Sequence, residues 1–98
     1  MNFDRDLFAQ EVGSCFVLKG ADEQTVDLEL AEVSELKERP HQVSFALVFL
    51  TPNSLAVEQG LYDLQHERLG DMQIFLVPIG VVDERLKLEA VFNFLRED

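Results

Sequence analysis

Two histidines, one cysteine and four serines are the obvious candidates for nucleophilic or metal chemistry in this 98-residue chain. His41 stands beside Pro40 in a charged stretch, and His66 ends an alternating segment just before Glu67-Arg68-Leu69-Gly70. A zinc site needs three or four converging nitrogen, sulfur or carboxylate ligands, usually with a closely spaced pair. Two isolated histidines offer no such pair, so no metal site is expected, and His66 is expected to hydrogen-bond turn backbone. Cys15 is the sole cysteine, which excludes an intrachain disulfide and a thiolate cluster. Lying between Ser14 and Phe16 at the head of an apolar run, it reads as a buried structural thiol. It has no histidine near it in sequence, and Ser14, Ser34, Ser44 and Ser54 lack a nucleophile-elbow context. With 19 acids against 8 bases, pairs such as Asp27 and Glu29, or Glu84 and Glu89, say little about acid–base catalysis. Gly13, Gly20, Gly60, Gly70 and Gly80 are dispersed at element ends and form no phosphate-cradling loop. The expectation is a protein without catalytic residues, cofactor or metal, hence not an enzyme.

The net charge is −11. Asp22, Glu23, Asp27, Glu29, Glu32, Glu35 and Glu38 crowd a stretch relieved only by Lys37 and Arg39. Such a surface repels phosphate backbones and anionic bilayers, which argues against nucleic-acid and membrane partners. The acids read either as solvating faces or as an acidic face for a basic partner. The longest apolar runs, 45–50 and 74–79, fall far short of the roughly 20 residues that span a bilayer. The acid-bearing start, MNFDRDLFAQE, does not resemble a secretory signal, so a cytoplasmic protein is expected. A hydrophobic fraction of 47% with eight Phe supports one core, and residues 1–98 read as a single domain.

These residues must be positioned by mostly extended elements. Phe3, Leu7 and Phe8 fall on one side of a short helix over Phe3–Val12, capped by Asn2 or Asp4 and stopped at Gly13. Beyond it the period becomes two. Strands are predicted at Cys15–Lys19, Gln24–Leu30, Val43–Leu50, Leu61–His66, Met72–Val77 and Lys87–Leu95. Gly20-Ala21-Asp22 supplies a turn, Ser34–Gln42 a loop or irregular strand end, Leu55–Glu58 one helical turn, and Val81–Arg85 a connection. Val26, Leu28 and Leu30 share a core face, with Asp27 and Glu29 outside. The phase then slips at Ala31, which predicts a β-bulge or bend. Pro78 lacks a ladder donor and belongs at an edge, bulge or strand exit. Six closely spaced strands predict an antiparallel meander forming a small barrel or sandwich with the N-terminal helix packed on it. An open sheet with the helix across one face is the alternative.

Two strands are apolar on both faces. Ala46, Val48 and Leu50 share the second face of one, and Phe75, Val77 and Ile79 that of the other. The outer face of a half-solvated sheet is ordinarily polar. Either the helix and the 51–58 loop cover these residues, or they form an interaction surface for a protein partner or a homodimer. A small-molecule ligand inside the barrel is the other possibility, weakened because Phe16, Phe45, Phe49, Phe92 and Phe94 suffice to fill so small an interior.

The segments Gln59-Gly60-Leu61-Tyr62-Asp63-Leu64-Gln65-His66, Leu69-Gly70, Phe75-Leu76-Val77-Pro78-Ile79-Gly80 and Val91-Phe92-Asn93 resemble the signature of a small uncharacterised bacterial family. Its members are about this length, and the resemblance spans the chain. It implies an accessory or assembly role near phage tail-collar-like fibre proteins, with no catalytic residues to carry over.

Overall fold

A computed structural model describes residues 5–20, 24–52 and 57–95. The expected caps Asn2 and Asp4, the helix start at Phe3, the Ala21-Asp22 turn and the first half of the Leu55–Glu58 turn lie outside them. A helix α1 (Arg5–Ala9) precedes seven strands: β1 (Cys15–Lys19), β2 (Thr25–Val33), β3 (Lys37–Arg39), β4 (Gln42–Pro52), β5 (Gly60–His66), β6 (Gly70–Val82) and β7 (Arg85–Leu95). Every pairing is antiparallel, in the order β2-β1-β5-β6-β7-β4-β3, and β2 also pairs with β4. Six strands therefore close a barrel and β3 is an extra strand on β4. Closure leaves the long apolar strands without open ladders. The order refines the expected meander: β1-β2-β4 and β5-β6-β7 run as neighbours, and the chain crosses from β4 to β5 without pairing them.

The period of two decides what is inside. Phe16 and Leu18, Leu28 and Leu30, Phe45, Leu47 and Phe49, Leu64, Met72, Ile74 and Leu76, and Leu88 and Ala90 are all buried. The same parity turns Cys15 outward with Val17 and Lys19, and the cysteine is exposed, correcting the expected buried thiol. Phe8 is buried from the helix, but Leu7 faces solvent rather than the core. Aromatic rings fill the interior in series: Phe8 lies 6.4 Å from Phe16, 6.2 Å from Phe45 and 5.9 Å from Phe92, between ring centroids.

The predicted slip at Ala31 is a register shift between Leu30 and Glu32, after which Val33 again points inward opposite Leu47. A second shift lies between Pro78 and Gly80, where the proline's missing donor is absorbed. β6 does not leave the sheet there. It continues to Val82, so the expected 81–85 connection shrinks to Asp83-Glu84. Similarly, the charged 34–42 stretch contains β3, joined to β4 through Pro40 and His41. His41 has φ 68°, as the third position of a proline-initiated type II turn requires.

The β6–β7 turn places both Asp83 and Glu84 at positive φ, 49° and 64°. That is the signature of a type I′ hairpin, which matches strand twist but favours Asn or Asp followed by Gly. A Glu side chain there costs roughly 1 kcal/mol relative to glycine. Glu84→Gly is therefore expected to stabilise the domain by about 1 kcal/mol. A denaturant titration showing lower stability would mean the turn is not under that strain.

Candidate functional site

The chemistry-bearing groups converge at one end of the barrel. His66 closes β5 and points inward, as its parity with Leu64 demands. The chain then turns through Glu67, Arg68 and Leu69 into Gly70, whose φ of 83° a side chain would strain. Across from this turn, the segment leaving α1 is held in the β2 ladder by Gly13 N–H donating to Leu30 O at 2.7 Å and Leu30 N–H to Ser14 O at 3.1 Å. This brings Glu11 and Ser14 against His66 and Arg68. Glu11 and His66 are buried, at 8% and 6% exposure.

His66 Nδ1 accepts the backbone N–H groups of Arg68 at 3.0 Å and Leu69 at 3.2 Å. This is the turn-backbone role expected for it. The neutral ring therefore carries its proton on Nε2, which donates to Ser14 Oγ at 2.8 Å. Ser14 Oγ–H in turn donates to the Glu11 carbonyl at 2.6 Å. Arg68 grips the Glu11 carboxylate, with Nε at 2.8 Å from both oxygens and Nη2 on Oε1. His66 Nε2 lies 3.6 Å from Glu11 Oε1. The hydrogen-bonded Arg68 guanidinium holds the Glu11 carboxyl below its ordinary range, against the opposing effect of burial. Burial pushes the His66 imidazole down, countered only in part by the Glu11 charge.

Ser, His and Glu in one cluster invite comparison with a hydrolytic triad, but the polarity is reversed. A nucleophilic serine needs an imidazole nitrogen free to take its proton. Here Nε2 is a donor, Nδ1 is occupied by two amides, and the carboxylate is bound by arginine. The arrangement pins the N-terminal segment to the β5–β6 hairpin. Sequence distance hid it: Ser14 is 52 residues from His66, and Glu11 is 57 from Arg68. Cys15 is not activated either, since desolvation and then the Asp27 charge push its thiol up. Among the described residues, no three His, Cys, Asp or Glu side chains are grouped to hold a metal ion, and no buried side-chain nitrogen or oxygen lacks a partner.

The residues expected to form an interaction surface lie on the barrel exterior. Val48 and Val77 flank Glu89 of the intervening β7, each being its register partner. Ala46, Leu50 and Val77 are half-buried and Val48 is largely covered, whereas Phe75 and Ile79 are 49% and 46% exposed. Of the expected cover, α1 packs on β2, Val12 beyond it lines one groove with Ala46 and Val48, and residues 53–56 of the loop lie outside the described residues. Two further members went unread from sequence. Leu61, directly opposite Phe75, is 61% exposed, and Val91, opposite Ala46, is 57% exposed. Parity was the available signal: Leu61 shares a face with Asp63 and Gln65, and Val91 with Glu89 and Asn93. Asn93 also faces outward, accepting from Gln42 Nε2 at 3.0 Å.

The fold and these two sites define a small closed antiparallel β-barrel with a clamped N-terminal segment and an apolar band on its outer wall. The chain belongs to the family described as Domain of unknown function (DUF6916), whose model matches residues 3–92. No curated protein and no solved structure matches it. Among the described residues no helix is long and apolar enough to cross a membrane.

Proposed function

We propose that this domain is a non-enzymatic protein-binding or assembly module that acts in the cytoplasm through the outer band of β5, β6 and β7. One observation carries the reading: Leu61 and Phe75, paired directly across two strands, are both about half exposed or more. Grouped apolar side chains on a sheet exterior mark contact surfaces. The reversed wiring of Ser14 and His66 supports a structural role for the polar cluster. The family resemblance noted above further fits an accessory part in assembling phage-tail-like fibres. The alternative, a ligand held inside the barrel, is disfavoured by the filled interior, where Phe16 and Phe49 pack edge to face at 5.3 Å and Phe45 and Phe92 lie 5.1 Å apart.

The test is affinity capture from the native host with the wild type and the Leu61→Ser/Phe75→Ser variant. Both side chains are exposed, so stability should change by only about 0.5 kcal/mol each. A stoichiometric protein partner should be retained by the wild type and lost by the variant. Identical partner profiles for the two proteins would sink the reading.

A further inference from the structure

Resting on the interaction reading above, we propose that the band seats a separate protein segment that is apolar at its centre and carries Lys or Arg at its rim, rather than a second copy of this chain. The argument begins with Glu89. It is half-buried on the outer face of β7, between Val48 on one neighbouring strand and Val77 on the other. Val91 follows it on the same face. Among the described residues Glu89 makes no salt bridge, in contrast to Glu29, which Arg85 meets at 2.7 Å. Lys87 precedes it on the same face but does not bridge it, and Glu32 and Ser34 share its groove. A half-buried carboxylate loses hydration when a partner covers it, and a cation from that partner compensates.

The opposite rim repeats the pattern. Leu61 is followed on its face by Asp63, which takes a hydrogen bond from Gln73 Nε2 at 2.9 Å, and Asp71 lies one outward position beyond Gln73. The band is thus apolar in its middle and net acidic at both sides, with Glu89 and Glu32 outnumbering Lys87 on one and Asp63 and Asp71 outnumbering Lys19 on the other. A two-fold dimer would set one net-acidic rim against another, between chains that each carry −11. Long-range repulsion would oppose that encounter and favour a basic partner.

Two synthetic helical peptides provide the probe. They share one Leu/Phe face and differ in carrying Lys or Glu along its flanks. Each is titrated into the full chain while backbone amide signals are followed by NMR, and sedimentation velocity reports self-association of the protein alone. The Lys-flanked peptide should shift the amides of Leu61, Phe75 and Val91 saturably, while the Glu-flanked peptide leaves them unmoved and the protein alone stays monomeric. Phe75→Ser should weaken binding about tenfold, as loss of a central anchor does. Glu89→Gln should weaken it a few-fold and flatten its salt dependence. Shifts confined to the Asp27–Glu38 side and indifferent to Phe75→Ser would overturn the proposal, showing charge attraction alone. Self-association abolished by Phe75→Ser would overturn the partner's identity while leaving the interaction reading standing. If neither peptide touches the band, the basic-segment proposal fails, and the host capture experiment decides the broader reading separately.

Discussion

Phe16→Ala is expected to remove about 3–5 kcal/mol of folding stability, the range for truncating a fully buried phenylalanine. Phe16 is 0% exposed and touches three rings from different parts of the chain: Phe8 of the helix, Phe49 of β4 and His66 of β5, the last at 4.3 Å. Because Phe49 and His66 belong to a closed barrel, they have little freedom to collapse into the vacated space. A domain of this size holds about 5–15 kcal/mol in all, so the variant should melt roughly ten degrees or more below the wild type, or fail to fold. Phe75→Ala, removing the same atoms from the exterior, should cost less than about 1 kcal/mol. Parallel thermal melts check the contrast, and near-equal losses at the two positions would show that the interior is not packed as described.

The second large effect concerns acid. Folded His66 has its pKa depressed by burial, with the Glu11 charge opposing. Below the ordinary histidine value of about 6.5, the unfolded chain binds a proton that the folded chain resists. Stability is therefore full above about pH 6.5 and declines as the pH falls toward the folded pKa. Geometry points the same way, since a proton on Nδ1 would confront the amides of Arg68 and Leu69. Glu11, also depressed and first of all by its Arg68 hydrogen bonds, adds a separate loss below about pH 4.5 as its carboxylate protonates. Urea midpoints measured between about pH 7 and 5 should fall for the wild type and stay flat for His66→Gln. That variant should begin about 1–3 kcal/mol less stable at neutral pH, because at least one turn amide loses its acceptor. A wild type indifferent to pH across this window would refute the assignment of His66 as a buried neutral acceptor.

What was legible in the sequence was whatever alternation alone determines. Val26, Leu28 and Leu30 face the core because their parity allows nothing else. The broken phase at Ala31 announced the bulge between Leu30 and Glu32, since an extra residue is what returns Val33 to the inner face. Pro78 announced the second irregularity, though not that β6 resumes beyond it, because Gly80 to Val82 are held by pairing with β7 rather than by burial. β3 escaped for the same reason. Lys37, Glu38 and Arg39 are all exposed, and only the ladder to β4 keeps them extended. The apolar run that follows Cys15 suggests burial, whereas its parity with Lys19 turns it outward. Half of the apolar band was visible as two-faced strands. Leu61 and Val91 were hidden in strands that otherwise alternate, and the Glu11–Ser14–His66–Arg68 cluster depends on closure, which no local pattern encodes.

That closure also orders events during synthesis. The β5–β6 and β6–β7 hairpins are local and can zip within microseconds, but the two seams that shut the barrel join Val17 to Gln65 and Gln42 to Leu95. Such pairings pay their loop entropy before any contact rewards them, which makes high contact-order barrels slow to fold. β7 lies between β6 and β4 and is the last of the barrel strands to emerge from the ribosome. Until it arrives, a nascent chain carries one open apolar edge on each side of the gap, a state prone to misassociation. The barrel is thus committed to closing only after β7 has been translated, and whatever shields those two edges in the interval governs how much of the chain reaches the closed state.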